Sequence, residues 1–225
     1  MGSFATFLNT MSLAPDLFQV SHFYKFLNVL LMRIIAGSAK GRKLLEIDGL
    51  DIRPTLDRVK ESFFNQTGPW MNDIRFLDLF AGTGNIGIEA MSRGSKRTVF
   101  VENNPDSRSA ILSNIKRCRF NSDDPQLNSN GLWSLIAQSA LTSIPFLEKS
   151  GERFDLIYID PPFEANLYKP CLDALSSSSI LAADALIVVE HQRKNKLETI
   201  YGKLSLFKDR RIGNTCLSFY QVSPD

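Results

Sequence analysis

The run Leu77-Asp78-Leu79-Phe80-Ala81-Gly82-Thr83-Gly84-Asn85-Ile86-Gly87 constrains this chain more than any other stretch. A short apolar segment enters a turn with three glycines and leaves it as a helix, which is the corner of a strand-loop-helix unit. Missing side chains let a ligand approach the backbone, and unpaired amides at the helix start face it. The segment therefore marks a cofactor crevice. Gly82, Gly84 and Gly87 spell the dinucleotide fingerprint, and Glu102 stands at the end of the next strand, where an acid binds ribose hydroxyls. The glycines alone do not choose a cofactor. Asp78 helps, because a carboxylate beside the loop repels a pyrophosphate but suits the ammonium group of S-adenosylmethionine.

Around this corner, apolar strands and helical segments alternate. Strands are predicted at Phe76–Phe80, Thr98–Glu102, Trp133–Ala137, Phe154–Asp160 and Ala185–Glu190, and helices at Ile86–Ser92, Pro105–Cys118 and Tyr168–Leu175. That alternation implies an α/β fold with a mostly parallel sheet covered on both faces. Lys203–Val222 reads as an antiparallel closing hairpin around residues 209–214. Upstream, Arg33–Ala36 and Leu44–Ile47 flank a glycine-containing basic connection and predict a small hairpin. Apolar residues at 56, 59, 63 and 64 then predict a helix capped by Thr55. Residues 119–130 are polar and read as a loop.

A second motif discriminates between cofactors. Phe154-Asp155-Leu156-Ile157-Tyr158-Ile159 is a buried strand that ends in Asp160-Pro161-Pro162-Phe163. The prolines remove donors and stiffen the turn, so the Asp160 carboxylate and nearby carbonyls can act together as acceptors for an amine. Hydrogen bonds to both protons of an exocyclic base amine localise its lone pair and aim it at a methyl donor. Phe163 can stack on the base. Three other classes stay open on these residues: a nicotinamide-dependent oxidoreductase, which leaves the Asp-Pro-Pro-Phe turn without a purpose; a DNA adenine or cytosine methyltransferase, which shares both motifs; and a non-catalytic RNA-binding assembly factor.

Leu77–Ala90 and Ile157–Phe163 resemble the motifs of nucleic-acid amino-methyltransferases. Met32-Arg-Ile-Ile-Ala-Gly, Gly41-Arg-Lys-Leu, Arg53-Pro-Thr-Leu-Asp-Arg-Val-Lys-Glu and Phe63-Phe64-Asn65 are similar to the RsmD-type bacterial 16S rRNA (guanine-N2) methyltransferases. The resemblance covers nearly everything after residue 31. It implies a Rossmann-like class I methyltransferase sheet in 71–225, preceded by a hairpin and helix in 32–70 on the RNA side. It also implies that Asp78 and the loop Ala81-Gly82-Thr83-Gly84 hold the methionine end of S-adenosylmethionine, and Glu102 the ribose. Asp160, Pro161, Pro162 and Phe163 would hold the target guanine, with Arg53, Thr55 and Arg58 near it. Where that family has Asp in a Gly-Asp-Ala triplet by the adenine, this chain has Gln138-Ser139-Ala140. Ser139 can still hydrogen-bond there, but the carboxylate contact is lost.

The implied partner is 16S rRNA in a small ribosomal subunit or its assembly intermediate, met by a cytoplasmic monomer without membrane or metal. Overall charge does not advertise RNA binding, because 26 Lys and Arg face 24 Asp and Glu. The signal must be local. Seven basic residues lie between Met32 and Lys60 against four acidic ones, and the turn carrying Lys40, Arg42 and Lys43 is expected to meet phosphate beside the base site. Lys208, Arg210 and Arg211 form a second group. Residues 1–31 are Phe- and Leu-rich, have no Arg, and match neither a membrane span nor a targeting signal. They read as a dispensable leader or an over-extended start, with Met32 opening the family-like sequence.

Overall fold

The computed structural model describes residues 32–45, 56–120, 131–162 and 166–223. The leader, Arg53, Thr55, Phe163 and the polar stretch 121–130 lie outside the described residues.

Eight strands form one sheet: β1 (Arg75–Asp78), β2 (Arg97–Val101), β3 (Trp133–Ile136), β4 (Phe154–Ile159), β5 (Leu181–Gln192), β6 (Ile200–Tyr201), β7 (Leu204–Ile212) and β8 (Thr215–Val222). Their order is β3-β2-β1-β4-β5-β8-β7-β6. The first five run parallel, and β8, β7 and β6 are joined antiparallel to them. Sequence order reverses direction across the sheet between β1 and β4. In an open parallel sheet, ligands bind in the crevice at that switch point, outside the carboxyl ends of the strands.

The helices are α1 (Leu56–Thr67), α2 (Asn85–Ser92), α3 (Pro105–Arg117), α4 (Ala140–Lys149) and α5 (Tyr168–Ser176). Alternating strand residues divide the core between the two faces. Leu77, Leu79, Val99, Ile157 and Ile187 pack with Ile144 of α4 and Cys171, Leu172 and Leu175 of α5. On the other face, Phe100 packs with Ile88 and Ile111, while Phe76, Tyr158 and Val188 pack with Val59, Phe63 and Phe64 of α1. Phe63 and Phe64 have no exposure. Burying each stabilises the fold by roughly 1.5–3 kcal/mol, and Phe63 meets Tyr158 edge-on at 4.8 Å between ring centroids. The spacing that predicts α1 therefore bolts it against β4, the strand that ends in Asp160-Pro161-Pro162.

Helix α4 and the closing hairpin depart from expectation. Helix α4 has no counterpart in the predicted elements, because Pro145 stands inside it and interrupts the helical pattern. The N-terminal hairpin pairs its two arms as far as residue 45, with Arg33 bridging Lys43, Ile34 N donating to Arg42 O at 2.9 Å and Leu44 N to Met32 O at 2.9 Å, while residues 46 and 47 lie outside the described residues; other amides of the segment turn to α2. Ile35 and Ala36 donate to Glu89 at 2.8 and 2.9 Å, and Ala39 donates to Ser92 Oγ at 2.9 Å. The closing hairpin is longer and tighter than expected: β7 continues to Ile212 and leaves Gly213-Asn214 as the turn, and β6 adds a short edge strand. No helix among the described residues is long and apolar enough to cross a membrane.

Candidate active site

Asp78 ends β1 and opens the crevice. It is 2% exposed and accepts a hydrogen bond from Gly87 N at 2.9 Å. Burial raises its pKa to about 7, with Glu102 adding to the rise and the Gly87 amide opposing it. Gly82 and Gly84 take positive φ, 53° and 81°, a conformation L side chains rarely adopt. Gly84 is the residue from which α2 starts. A neighbouring strand locks the loop, since Glu102 accepts from Gly82 N at 2.8 Å and from Asn104 N at 2.8 Å.

Asn114 on α3 holds the loop from the outside. This fully buried side chain donates to Thr83 O at 3.0 Å and accepts from Leu45 N at 2.6 Å. Ala81 and Thr83 are both buried. A side chain added at Gly82 would meet nothing within 4 Å, so open space lies directly over the loop backbone. Asn85 Nδ2, at the first turn of α2, is a buried donor without a partner among the described residues. An open cradle, flanking carboxylates and a spare donor suit a ligand with ammonium and hydroxyl groups.

Asp160 begins the second motif one strand away. Asp78 and Tyr158 are paired across β1 and β4, and Leu79 N donates to Tyr158 O at 3.0 Å. Asp160 is thus two residues beyond the level of Asp78, opposite the start of the glycine loop. It is half-buried, Pro161 is buried and Pro162 exposed. Beneath it the Tyr158 hydroxyl donates to Glu190 of β5. Burial pushes the Tyr158 phenol well above its ordinary pKa, and Glu190 and Asp160 push it further, so it stays a proton donor.

The remaining expected residues divide between near and far. Ser139 follows the carboxyl end of β3, on the crevice edge, and is the N-cap of α4: its Oγ accepts from Thr142 N at 3.3 Å. Arg58 is exposed on the first turns of α1. The basic turn is elsewhere. Ser38 N and Ala39 N bond to Ser92, at the end of α2 opposite Gly84. An eight-residue helix spans about 12 Å, so Lys40 stands away from the glycine loop. Lys40 and Lys43 are exposed, whereas the Arg42 guanidinium donates to Arg117 O at 2.9 Å and closes the end of α3.

Sequence reading passed over a buried network that fixes these parts together. Lys60 Nζ donates to Arg33 O at 2.6 Å and Asn85 Oδ1 at 2.8 Å, and lies 3.3 Å from Glu89. Glu89 also pairs with Arg93 at 2.9 Å. The signal was available: Lys60 immediately follows core Val59 in α1, and Glu89 lies between apolar Ile88 and Ala90 in α2. Charges in such places are paired or very costly.

Residues 32–221 match the family model described as conserved hypothetical protein 95. Ribosomal RNA small subunit methyltransferase D of Escherichia coli (strain K12) is 32% identical over 190 residues, 84% of this chain and 89% of that protein. The chain belongs to this methyltransferase D family. YlbH of Bacillus subtilis (strain 168) is 34% identical over 190 residues, covering 84% of this chain and 98% of its own length. The solved structure of yhhF from Escherichia coli superposes with a TM-score of 0.69 at 29% identity, covering 86% of this chain and 99% of that one. The class I methyltransferase sheet is thus the fold of this chain, with its antiparallel closing strands in place.

Proposed function

We propose that this chain methylates the exocyclic N2 amine of a guanine in 16S rRNA, using S-adenosylmethionine as methyl donor. One observation carries the proposal: β1 and β4 are paired so that the glycine loop and the Asp160 turn stand on either side of the switch-point crevice. A cofactor site and an amine-acceptor turn then face a shared space.

Asp78 would hold the ammonium group of the cofactor, Glu102 the ribose hydroxyls, and the backbone of Ala81–Gly84 the space between. Ser139 would stand by the adenine, with its Oγ partly committed to capping α4. When bound, S-adenosylmethionine supplies a methyl group already activated by its sulfonium. The protein's own task is therefore orientation and burial. Asp160 would accept one amine proton as a hydrogen bond and hold the nitrogen in line, and would take the proton released when the new N–C bond forms and the C–S bond of the sulfonium breaks. Pro161 and Pro162 offer no competing N–H donors. Tyr158 and Glu190, bonded to each other below, keep the strand end from shifting. Phe163 would stack on the guanine.

The substrate base must leave its stack to reach this crevice, which favours a loop in the small subunit or its assembly intermediate, approached by a monomer. The test is mass mapping of methylated guanines after incubation of the protein and S-adenosylmethionine with small subunits from a strain lacking the modification. One new N2-methylguanine supports the proposal. An unmodified 16S rRNA under conditions where the protein binds S-adenosylmethionine contradicts it.

A further inference from the structure

A cavity of about 840 Å³ opens where β5 ends and the β7–β8 turn begins, and Arg58, Arg193 and Lys194 line it with Gln192, Asn214 and Thr215. None of the described residues lining it is acidic. Arg58, Arg193 and Lys194 are all exposed, and none of the three has an ion-pair partner among the described residues. Three cations thus converge on one concave surface that no carboxylate of the described residues lines.

The backbone beneath them is fixed. Gln192 and Thr215 are the last pair of the β5–β8 ladder, Arg193 N donates to Asn214 O at 2.9 Å, and Asn195 N closes a turn onto Gln192 O at 2.9 Å. Arg58 comes from α1, next to buried Val59 and two residues from buried Lys60, so its helix is anchored to the same sheet. The site is therefore assembled from three separate segments.

Its position relates it to the amine site. Ile159 pairs with Val189, so Asp160 is level with Glu190, and Gln192 is two residues further along the neighbouring strand. That is about 5 Å sideways and about 7 Å outward from the Asp160 turn. The Lys40–Lys43 turn, by contrast, sits at the far end of α2.

Building on the guanine-methylation reading above, we propose that this cavity is a phosphodiester-binding subsite for the RNA strand adjoining the target base. Arg58 and Arg193 offer planar forks that match phosphate oxygens, and Lys194 adds a mobile charge. A cavity of this size exceeds one phosphate and accommodates a strand passing through. Anchoring the backbone beside the base would hold the flipped nucleotide in register with Asp160, without reading sequence.

The experiment compares the wild-type protein with Arg193→Ala/Lys194→Ala, with the charge-preserving Arg193→Lys/Lys194→Arg, and with Lys96→Ala as control. Lys96 lines a separate cavity at the opposite, amino ends of the central strands, together with Arg75 and the acidic Asp73, Asp155 and Asp184. For each, binding of small-subunit RNA is measured against salt concentration, alongside methylation kinetics, S-adenosylmethionine binding and thermal stability. The double Ala variant should keep its melting temperature and cofactor affinity, raise KM for RNA more than tenfold with little change in kcat, and lower the logarithmic salt slope by roughly 0.7 to 0.9 per lost contact. The charge-preserving variant should recover most of the affinity, and Lys96→Ala should match wild type. An unchanged salt slope and KM in the double Ala variant, or an equal loss in Lys96→Ala, would overturn the subsite. A wild-type protein that neither binds nor methylates the RNA would overturn the methylation reading itself, and the subsite with it.

Discussion

Lys60 and Glu89 meet 3.3 Å apart with neither side chain exposed to solvent. Burial pulls the Lys60 ammonium below its ordinary pKa, and Glu89 opposes that shift. The pair joins α1 and the N-terminal segment to the first turns of α2, which carry the cofactor loop. Breaking one side of such a pair leaves a buried charge without its partner, at about 3–5 kcal/mol. Glu89 retains Arg93 and two backbone amides, so Lys60→Met should fall at the low end, about 3 kcal/mol. Urea denaturation checks this, and a loss under 1 kcal/mol would mean that the ammonium contributes little to docking these segments.

Asp78 should make cofactor binding pH-dependent. Its pKa in the free protein is about 7, raised first by burial. A cationic ligand binds the carboxylate, so below pH 7 a proton must leave on binding, and affinity should fall up to tenfold per pH unit. Cofactor-free stability should move the other way. The folded state holds this proton more tightly than the unfolded chain, so stability is lost as pH rises from about 4 to about 7. Calorimetry between pH 5.5 and 8.5 in buffers of different ionisation heat measures both the affinity and the proton release. A flat profile would place the cofactor's ammonium away from Asp78.

Lys40 and Lys43 stand exposed on the turn at the far end of α2, while Arg42 is engaged with Arg117 O. Replacing both lysines with Ala should reduce the salt slope of RNA binding by roughly 0.7 to 0.9 for each phosphate contact removed, with kcat and cofactor affinity unchanged. Arg42→Ala should instead lower stability, by about 1 kcal/mol for one lost hydrogen bond. Filter binding at several salt concentrations and thermal melts separate the two outcomes. Equal salt slopes would make the lysines ordinary surface charge.

The parallel strands and α2, α3 and α5 were legible in the sequence because their apolar periodicity is uninterrupted and the glycine loop fixes where one strand stops. Gly87 was legible too, though its reason needed coordinates: a Cβ there would stand 2.3 Å from the Phe100 ring, so α2 lies on β2 only because the side chain is absent. Helix α4 was hidden because Pro145 breaks its pattern, while the capping Ser139 that marks its start was read only for the cofactor. Lys60 and Glu89 stand out as charges among apolar neighbours, but what they and Asn114 bind was not legible. Apart from Arg93, one turn from Glu89, the partners lie 25 to 69 residues away, and long-range polar pairing leaves no local period. The cationic cavity escaped for the same reason, since Arg58 and Arg193 are joined only by the fold.

Asp160→Ala tests the central claim most directly. The variant keeps the crevice and the glycine loop but loses the acceptor that orients the amine. Loss of one well-placed polar stabiliser costs about 10² to 10³ in rate, so single-turnover methylation of small ribosomal subunits should slow by that factor. S-adenosylmethionine and RNA affinities, measured separately, should stay within about threefold of wild type. Methylation of guanine by Asp160→Ala at the wild-type rate would contradict the account of this turn as the amine-orienting element.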